Sequence, residues 1–174
     1  MFFKLIENRR SNRKFKPKKI KPEIIEKLIE AALRSPSSRS YNPWRFIIVD
    51  EKEILLKLSK AKPHGSSFLE EAPLGIVVCG DSTKSDTWIE DTSIASIFIQ
   101  LAAESLNLSS CWIQIRMREH NNTQSANKYV KNLLKIPDNI DVESIIAIGY
   151  PDKIKEGHSK KSLQTEKIFY NRYC

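Results

Sequence analysis

Glycine and cysteine are scarce in this chain, with five Gly and three Cys in 174 residues. The glycines, at 65, 75, 80, 149 and 157, form neither G-x-G-x-x-G nor G-x-x-x-x-G-K. No small-residue loop is therefore available to bring backbone N–H groups against a pyrophosphate, and Rossmann-type and P-loop sites are unsupported. The cysteines, at 79, 111 and 174, are odd in number, make no C-x-x-C and have no His at ligand spacing. That excludes a disulfide scaffold, leaves no metal site to expect, and suits the reduced thiols of a cytoplasmic protein. His64, His120 and His158 lie in polar stretches with no H-E-x-x-H or G-x-S-x-G around them, so metallohydrolase and nucleophilic-triad chemistry have no frame.

Long apolar runs are missing too. Stretches such as Ile76-Val77-Val78-Cys79 are far shorter than the roughly 20 residues of a membrane span. The N-terminus reaches charge at Lys4 with no apolar core of a secretory leader, so a soluble protein without a signal peptide or membrane partner is expected. A length of 174 residues suits one domain covering 1–174, and 40% hydrophobic with 29% charged residues excludes a disordered chain.

What is present is a layered pattern. Ile24, Ile25, Leu28, Ile29 and Ala32 recur at helical spacing behind Pro22, which predicts a helix over 22–34. Residues 35–43 are dense in Ser, Pro and Asn and form a loop. A strand at 45–49 runs into the capping box Asp50-x-x-Glu53 and a helix bearing Ile54, Leu55, Leu58 and Ala61. The continuous run at 74–79 predicts a central strand covered on both faces. A long helix over 88–108, a strand at 111–115, a helix at 123–135 and a strand at 144–148 complete helices layered around a four-stranded sheet, whose strand order the sequence does not encode locally. From Asp152 onward, lysines and the cluster Phe169, Tyr170 and Tyr173 suit a tail packed on something else.

The net charge of +8 is concentrated in residues 9–21, where eight of thirteen side chains are cationic. One reading is a solvated basic arm with affinity for polyanions, a non-enzymatic binder. Phe15 is the only aromatic residue in the arm, so it lacks the aromatic platform that nucleic acid would use, and no nucleic-acid partner is expected. The other reading concerns Arg9-Arg10-Ser11-x-Arg13, whose guanidinium forks and hydroxyl suit a phosphate monoester. Cys79 and Cys111 read as buried small hydrophobes, and the acid pairs Glu70-Glu71 and Glu90-Asp91 as solvated surface.

Four ordered segments carry more. Arg9-Arg10-Ser11-x-Arg13-x-Phe15, Pro36-Ser37-Ser38-x-x-x-Asn42-Pro43-Trp44-Arg45-Phe46, Ala102-Ala103-Glu104-x-Leu106-x-Leu108-x-Ser110-Cys111-Trp112-Ile113 and Ile148-Gly149-Tyr150-Pro151 together resemble the flavin-dependent nitroreductase family, over nearly the whole chain. The resemblance implies an α+β fold with a central, mainly antiparallel sheet flanked by helices. It also implies an intertwined homodimer with two FMN molecules at the interface, the tail 152–174 embracing the partner.

By the same resemblance, Arg9, Ser11 and Arg13 would hold the FMN phosphate with Arg10 beside them, and Lys160 and Lys161 would close the site from the C-terminal end. Pro36, Ser37, Ser38, Ser40 and Asn42 would reach the isoalloxazine ring from the other subunit, and the Ile113-Gln114 backbone would lie near N5. The implied activity is that of an FMN-dependent NAD(P)H oxidoreductase. NADH or NADPH gives hydride to the flavin, and a small-molecule acceptor such as a nitroaromatic or quinone takes the donor's place, with no catalytic side chain because the flavin carries the chemistry. Dehalogenating or flavin-cleaving reactions on the same fold are the alternative enzymes. The chain departs from the family pattern at Ser40, Asn42, Asn107 and Ser109, the last two standing where glycines are usual. Asn tolerates positive φ better than Ser, so a rearrangement is expected at Ser109.

Overall fold

The computed structural model describes residues 2–173; the terminal thiol of Cys174 lies outside them. Five helices are α1 (Phe2–Asn8), α2 (Pro22–Leu33), α3 (Lys52–Leu58), α4 (Trp88–Ser105) and α5 (Ala126–Leu134). The strands are β1 (Trp44–Val49), β2 (Leu74–Asp81), β3 (Ser109–Gln114), β4 (Glu119–Asn121), β5 (Gln124–Ser125) and β6 (Ile140–Gly149). The main sheet has the order β1-β2-β6-β3 with every neighbour antiparallel, and β4 and β5 form a separate two-stranded ribbon.

β2 and β6 occupy the centre and alternate their side chains between two apolar layers. Val77, Cys79, Val142, Ile145 and Ala147 pack with Leu55 and Leu58 of α3 and Val130 of α5. Leu74, Ile76, Val78, Ile146 and Ile148 pack with Leu28 and Ala32 of α2 and Ile99 and Ala103 of α4. Period two with cover on both sides yields an unbroken apolar run, which is why 74–79 is legible as a buried strand. α4 lies close to the sheet because its inner face is built of Ala95, Ser96, Ile99, Gln100 and Ala103. Its other side carries Ile94, Ile97 and Phe98, each more than one-third exposed. Among the described residues no helix is long and apolar enough to cross a membrane.

Several local expectations need correction. The helix predicted over 88–108 stops at Ser105 because the chain closes it with a left-handed residue: Asn107 has φ 59°, its N–H donates to Glu104 O (3.1 Å), and Leu108 N–H donates to Ala103 O (2.9 Å). This pair of bonds is a Schellman ending with Asn in the usual glycine place. Ser109 then enters β3 with no positive φ, so the conformational demand falls on Asn107, the residue better able to meet it. The Asp50-x-x-Glu53 box does not form; α3 begins after Glu51, which makes no side-chain cap. α5 starts at Ala126, where the Ser125 hydroxyl accepts the Lys128 N–H. α1 has no buried residue and therefore no core-facing signal in the sequence.

The basic segment 9–21 is stitched to the sheet. Asn12 N–H donates to Ser110 O (3.0 Å), Lys16 N–H to Tyr150 O (2.9 Å) and Asp152 N–H to Lys14 O (3.2 Å). Between these bonds Phe15 is buried against Gly149, where a Cβ would stand 2.8 Å from the Phe15 ring and 2.7 Å from Pro73. Gly149→Ala is expected to lower stability by about 1–3 kcal/mol through overpacking. Thermal unfolding checks it; an unchanged midpoint would mean that Phe15 is not wedged there.

Candidate functional site

β3 is the spine of the site. At its start Ser11 pairs in parallel with Ser110, and the Ser11 hydroxyl meets the Cys111 thiol. Arg13 extends over the Phe68 ring at 5.7 Å, and Lys155 Nζ donates to Ser11 O at 2.9 Å. Arg9 reaches Gln100 Oε1 of α4 at 3.5 Å. Arg13, Lys155 and Arg9 all act electrostatically on Cys111, so three cations surround the start of β3. Among the described residues the ion pairs are Lys21–Glu23, Arg34–Glu30 and Lys131–Asp141, which leaves this cluster without a carboxylate partner. Glu104, which feels the charge of Arg9, has its carboxyl pushed up by burial. Uncompensated cations around a hydroxyl form a site for an anion.

The structure separates the other cationic candidates from this point. Arg10 turns its guanidinium to the backbone carbonyl of Glu156 and lines a small cavity with Glu104, Asn107 and Ser109, so it ties down the tail. Lys160 and Lys161 lie in a short exposed 3₁₀ turn, with Lys160 facing Phe3, Ile6 and Glu7 of α1. Lys155, not singled out in the sequence, is the tail lysine that meets Ser11. No spacing rule distinguishes it from its neighbours; the tail is brought there by the Lys16–Tyr150 and Lys14–Asp152 backbone bonds and by Asn12 Nδ2 donating to Lys153 O (3.3 Å).

At the far end of β3, Ile113 is fully buried and Gln114 is held by its amide. Trp112 Nε1 donates to Gln114 Oε1 (2.9 Å), and Gln114 Nε2 donates to Arg116 O (3.1 Å) and Glu143 Oε1 (3.4 Å). Gln114 lies four residue steps along the strand from Ser110, a span of about 13 Å.

The loop with Pro36, Ser37, Ser38, Ser40 and Asn42 is ordered and strained. Ser37 Oγ donates to Asn42 Oδ1 (2.7 Å) and accepts Asn42 N–H (2.9 Å), while Ser38 N–H donates to Asp91 Oδ1 of α4 (2.8 Å). Arg39, Ser40 and Asn42 all take left-handed φ, between 47° and 56°. Such strain without glycine persists where the surroundings fix the loop, and it gathers at functional sites. The loop opens β1, whose Trp44 aligns through Gly80 with Asp141, whereas Gln114 aligns with Ser144. Three strand spacings and three residues put the loop's base about 17 Å from Gln114 within one protomer.

The chain matches the profile described as the Nitroreductase family over residues 6–64 and 57–150. The chain belongs to the nitroreductase family. It is 39% identical over 157 residues to an Archaeoglobus fulgidus protein named "Putative NADH dehydrogenase/NAD(P)H nitroreductase", covering 88% of this chain and 87% of that one. A solved FMN-dependent nitroreductase from Clostridium difficile superposes with a TM-score of 0.96 at 43% identity, over 97% of this chain and 98% of its own. A Haliscomenobacter hydrossis iodotyrosine deiodinase is 23% identical, over 86% of this chain and 79% of its own. This nitroreductase-family chain is accordingly an oxidoreductase of the nitroreductase type, with the α+β fold that the four sequence segments imply.

Both described thiols are deactivated by the fold. Burial pushes Cys79 up to about 12 and also raises Cys111, where it outweighs the cations of the cluster. The native protein at pH 7–8 is expected to resist alkylation at Cys79 and Cys111 on a timescale that labels both in denaturant. Peptide mass spectrometry checks it, and rapid labelling of native Cys111 would overturn the packing described for Ser11.

Proposed function

We propose that this nitroreductase-family protein is an FMN-dependent NAD(P)H oxidoreductase, active as a homodimer, that passes reducing equivalents to a nitroaromatic, quinone or similar small acceptor. The observation that carries it is the layout along β3. An uncompensated cationic cluster lies at Ser110 and a rigid hydrogen-bonded edge lies at Gln114, about 13 Å away. A phosphate monoester tethered to a planar ring system matches both ends, and the donor set fits FMN.

In this proposal Ser11, Arg13 and Lys155 hold the phosphate, with Arg9 behind them against α4. The tail lysines Lys160 and Lys161 approach from the C-terminal side of the assembly. The Ile113-Gln114 backbone lines the ring, and neighbouring cations favour the extra negative charge of its reduced form. When bound, FMN supplies the hydride chemistry; the protein binds, orients and shields it. Donor and acceptor use one open face in turn.

A second copy is needed because the 36–42 loop stands at the opposite edge of the sheet from the Gln114 edge. The stripe Ile94, Ile97 and Phe98 on α4 supports it, since these positions share one helix face and lack cover in one protomer. Exposed Ile154, Leu163, Ile168, Phe169, Tyr170 and Tyr173 support a tail that embraces the partner. The proposed place of work is the cytoplasm, where the scattered cysteines at 79, 111 and 174 would stay reduced.

Purified protein is expected to show flavin absorption bands that bleach on anaerobic addition of NADH or NADPH; a colourless protein that cannot be reconstituted with FMN would refute the proposal. A Ser11→Ala, Arg13→Ala double variant should keep its fold and weaken FMN binding at least about tenfold, having lost a charge-assisted contact and a hydroxyl donor. Phe98→Asp on α4 should elute as a monomer and lose FMN together with its partner. Retention of FMN by that monomer would show that one chain suffices.

A further inference from the structure

β6 carries one extra residue in its pairing with β2. Val78 pairs with Ser144 and Cys79 with Val142, so Glu143 bulges out of that ladder. On the other side its backbone carbonyl continues the β3 ladder, accepting the N–H groups of Ile115 (3.1 Å) and Arg116 (3.0 Å), the two residues that follow Gln114. Glu143 is 3% exposed. Oε1 accepts from Gln114 Nε2 at 3.4 Å, while Oε2 is buried with no hydrogen-bond partner among the described residues.

The surroundings are short of charge. Facing the carboxyl are the Ser144 hydroxyl, the Gln114 amide and, as its charged neighbour, Arg116. β2 presents Val78 and the un-ionised thiol of Cys79 across the bulge, and α4 presents Ser96, whose hydroxyl lies 3.3 Å from that of Ser144. Burial raises the carboxyl above the ordinary Glu range, against the smaller opposing effects of Ser144, Gln114 and Arg116. An unpaired buried carboxylate oxygen is costly, whereas a carboxylic acid tolerates this position.

Resting on the assignment of the Gln114 edge to the flavin ring, we propose that Glu143 is a positioning residue: the bulge lets one side chain and one carbonyl fix the Gln114–Arg116 segment, and the proton on its carboxyl is coupled to the charge of the bound flavin. Ionised Glu143 opposes negative charge on the reduced cofactor, so by linkage reduction favours the protonated acid.

The test uses FMN-loaded wild type, Glu143→Gln and Glu143→Leu, with FMN affinity and flavin midpoint potential measured from pH 5 to pH 9. Glu143→Gln keeps an acceptor for Gln114 and cannot ionise. It is expected to bind FMN within about threefold of wild type at pH 5, and its potential should fall less steeply with pH. Glu143→Leu, which leaves the Gln114 amide without that acceptor, should bind FMN about tenfold more weakly.

The apoprotein gives a readout free of flavin. A carboxyl whose folded pKa exceeds its unfolded value near 4.3 contributes stability that is present below about pH 4 and lost as pH rises through the folded pKa. Wild type should therefore lose stability relative to Glu143→Gln over that rise. Parallel potentials and parallel stability curves would overturn the proposal, and the Glu143→Gln comparison decides it even if Glu143→Leu fails to fold. Failure of wild type to bind FMN, with diverging stability curves, would instead refute the flavin assignment and the coupling while leaving the buried proton established.

Discussion

β2 and β6 have both faces covered, and that double burial dictates where everything else in the molecule goes. Every side chain along these strands must be apolar or paired, so the centre of the sheet offers no surface to a ligand. Recognition is pushed to the outer strands β1 and β3 and to the segments that flank them. The exception inside β6 is Glu143, which stands where the ladder with β2 slips and whose carboxyl accepts from the Gln114 amide. The burial of the sheet also explains the small inner face of α4: Ala95, Ser96 and Ala103 let that helix sit close to the strands, which leaves its bulky Ile97 and Phe98 facing away.

The fold was legible wherever one residue class repeats with a period. The continuous run of β2 and the i, i+3, i+4 spacing of α2 correspond to observed elements because burial on known faces leaves that imprint. α4 was legible as a helix but not by its buried face: the apolar repeat through Ile94, Ile97 and Phe98 lies on the exposed side, and the inner face is built of small and polar residues around Ile99. α1 escaped because its apolar residues are exposed in one protomer, and β4 and β5 because strands of three and two residues have no period to show. The α3 start was misplaced by a capping signature that the chain does not use.

The site divides in the same way. Arg9, Ser11 and Arg13 are adjacent in sequence, so a short motif can announce them, and the Ser/Pro/Asn loop is visible by its composition. Lys155 and Glu143 have no such local mark. Lys155 is one lysine among several in the tail, and its place beside Ser11 is set by bonds between residues far apart in the chain, such as Lys14 with Asp152 and Asn12 with Lys153. Glu143 sits in what reads as an ordinary strand, and only the register slip between β2 and β6 turns it toward Gln114. Arg10 shows the converse: a motif position that the fold spends on the Glu156 carbonyl.

The opposite placement of the Ser11–Arg13 arm and the 36–42 loop has a genetic consequence. In the proposed two-fold dimer, which joins the arm of one chain to the loop of the other, each of the two sites would draw on both subunits. A mixed dimer of one arm-defective and one loop-defective chain then gathers both lesions into one site and leaves the other wholly wild-type. Two alleles that are each inactive alone can in this way complement one another, restoring up to one working centre per hybrid molecule.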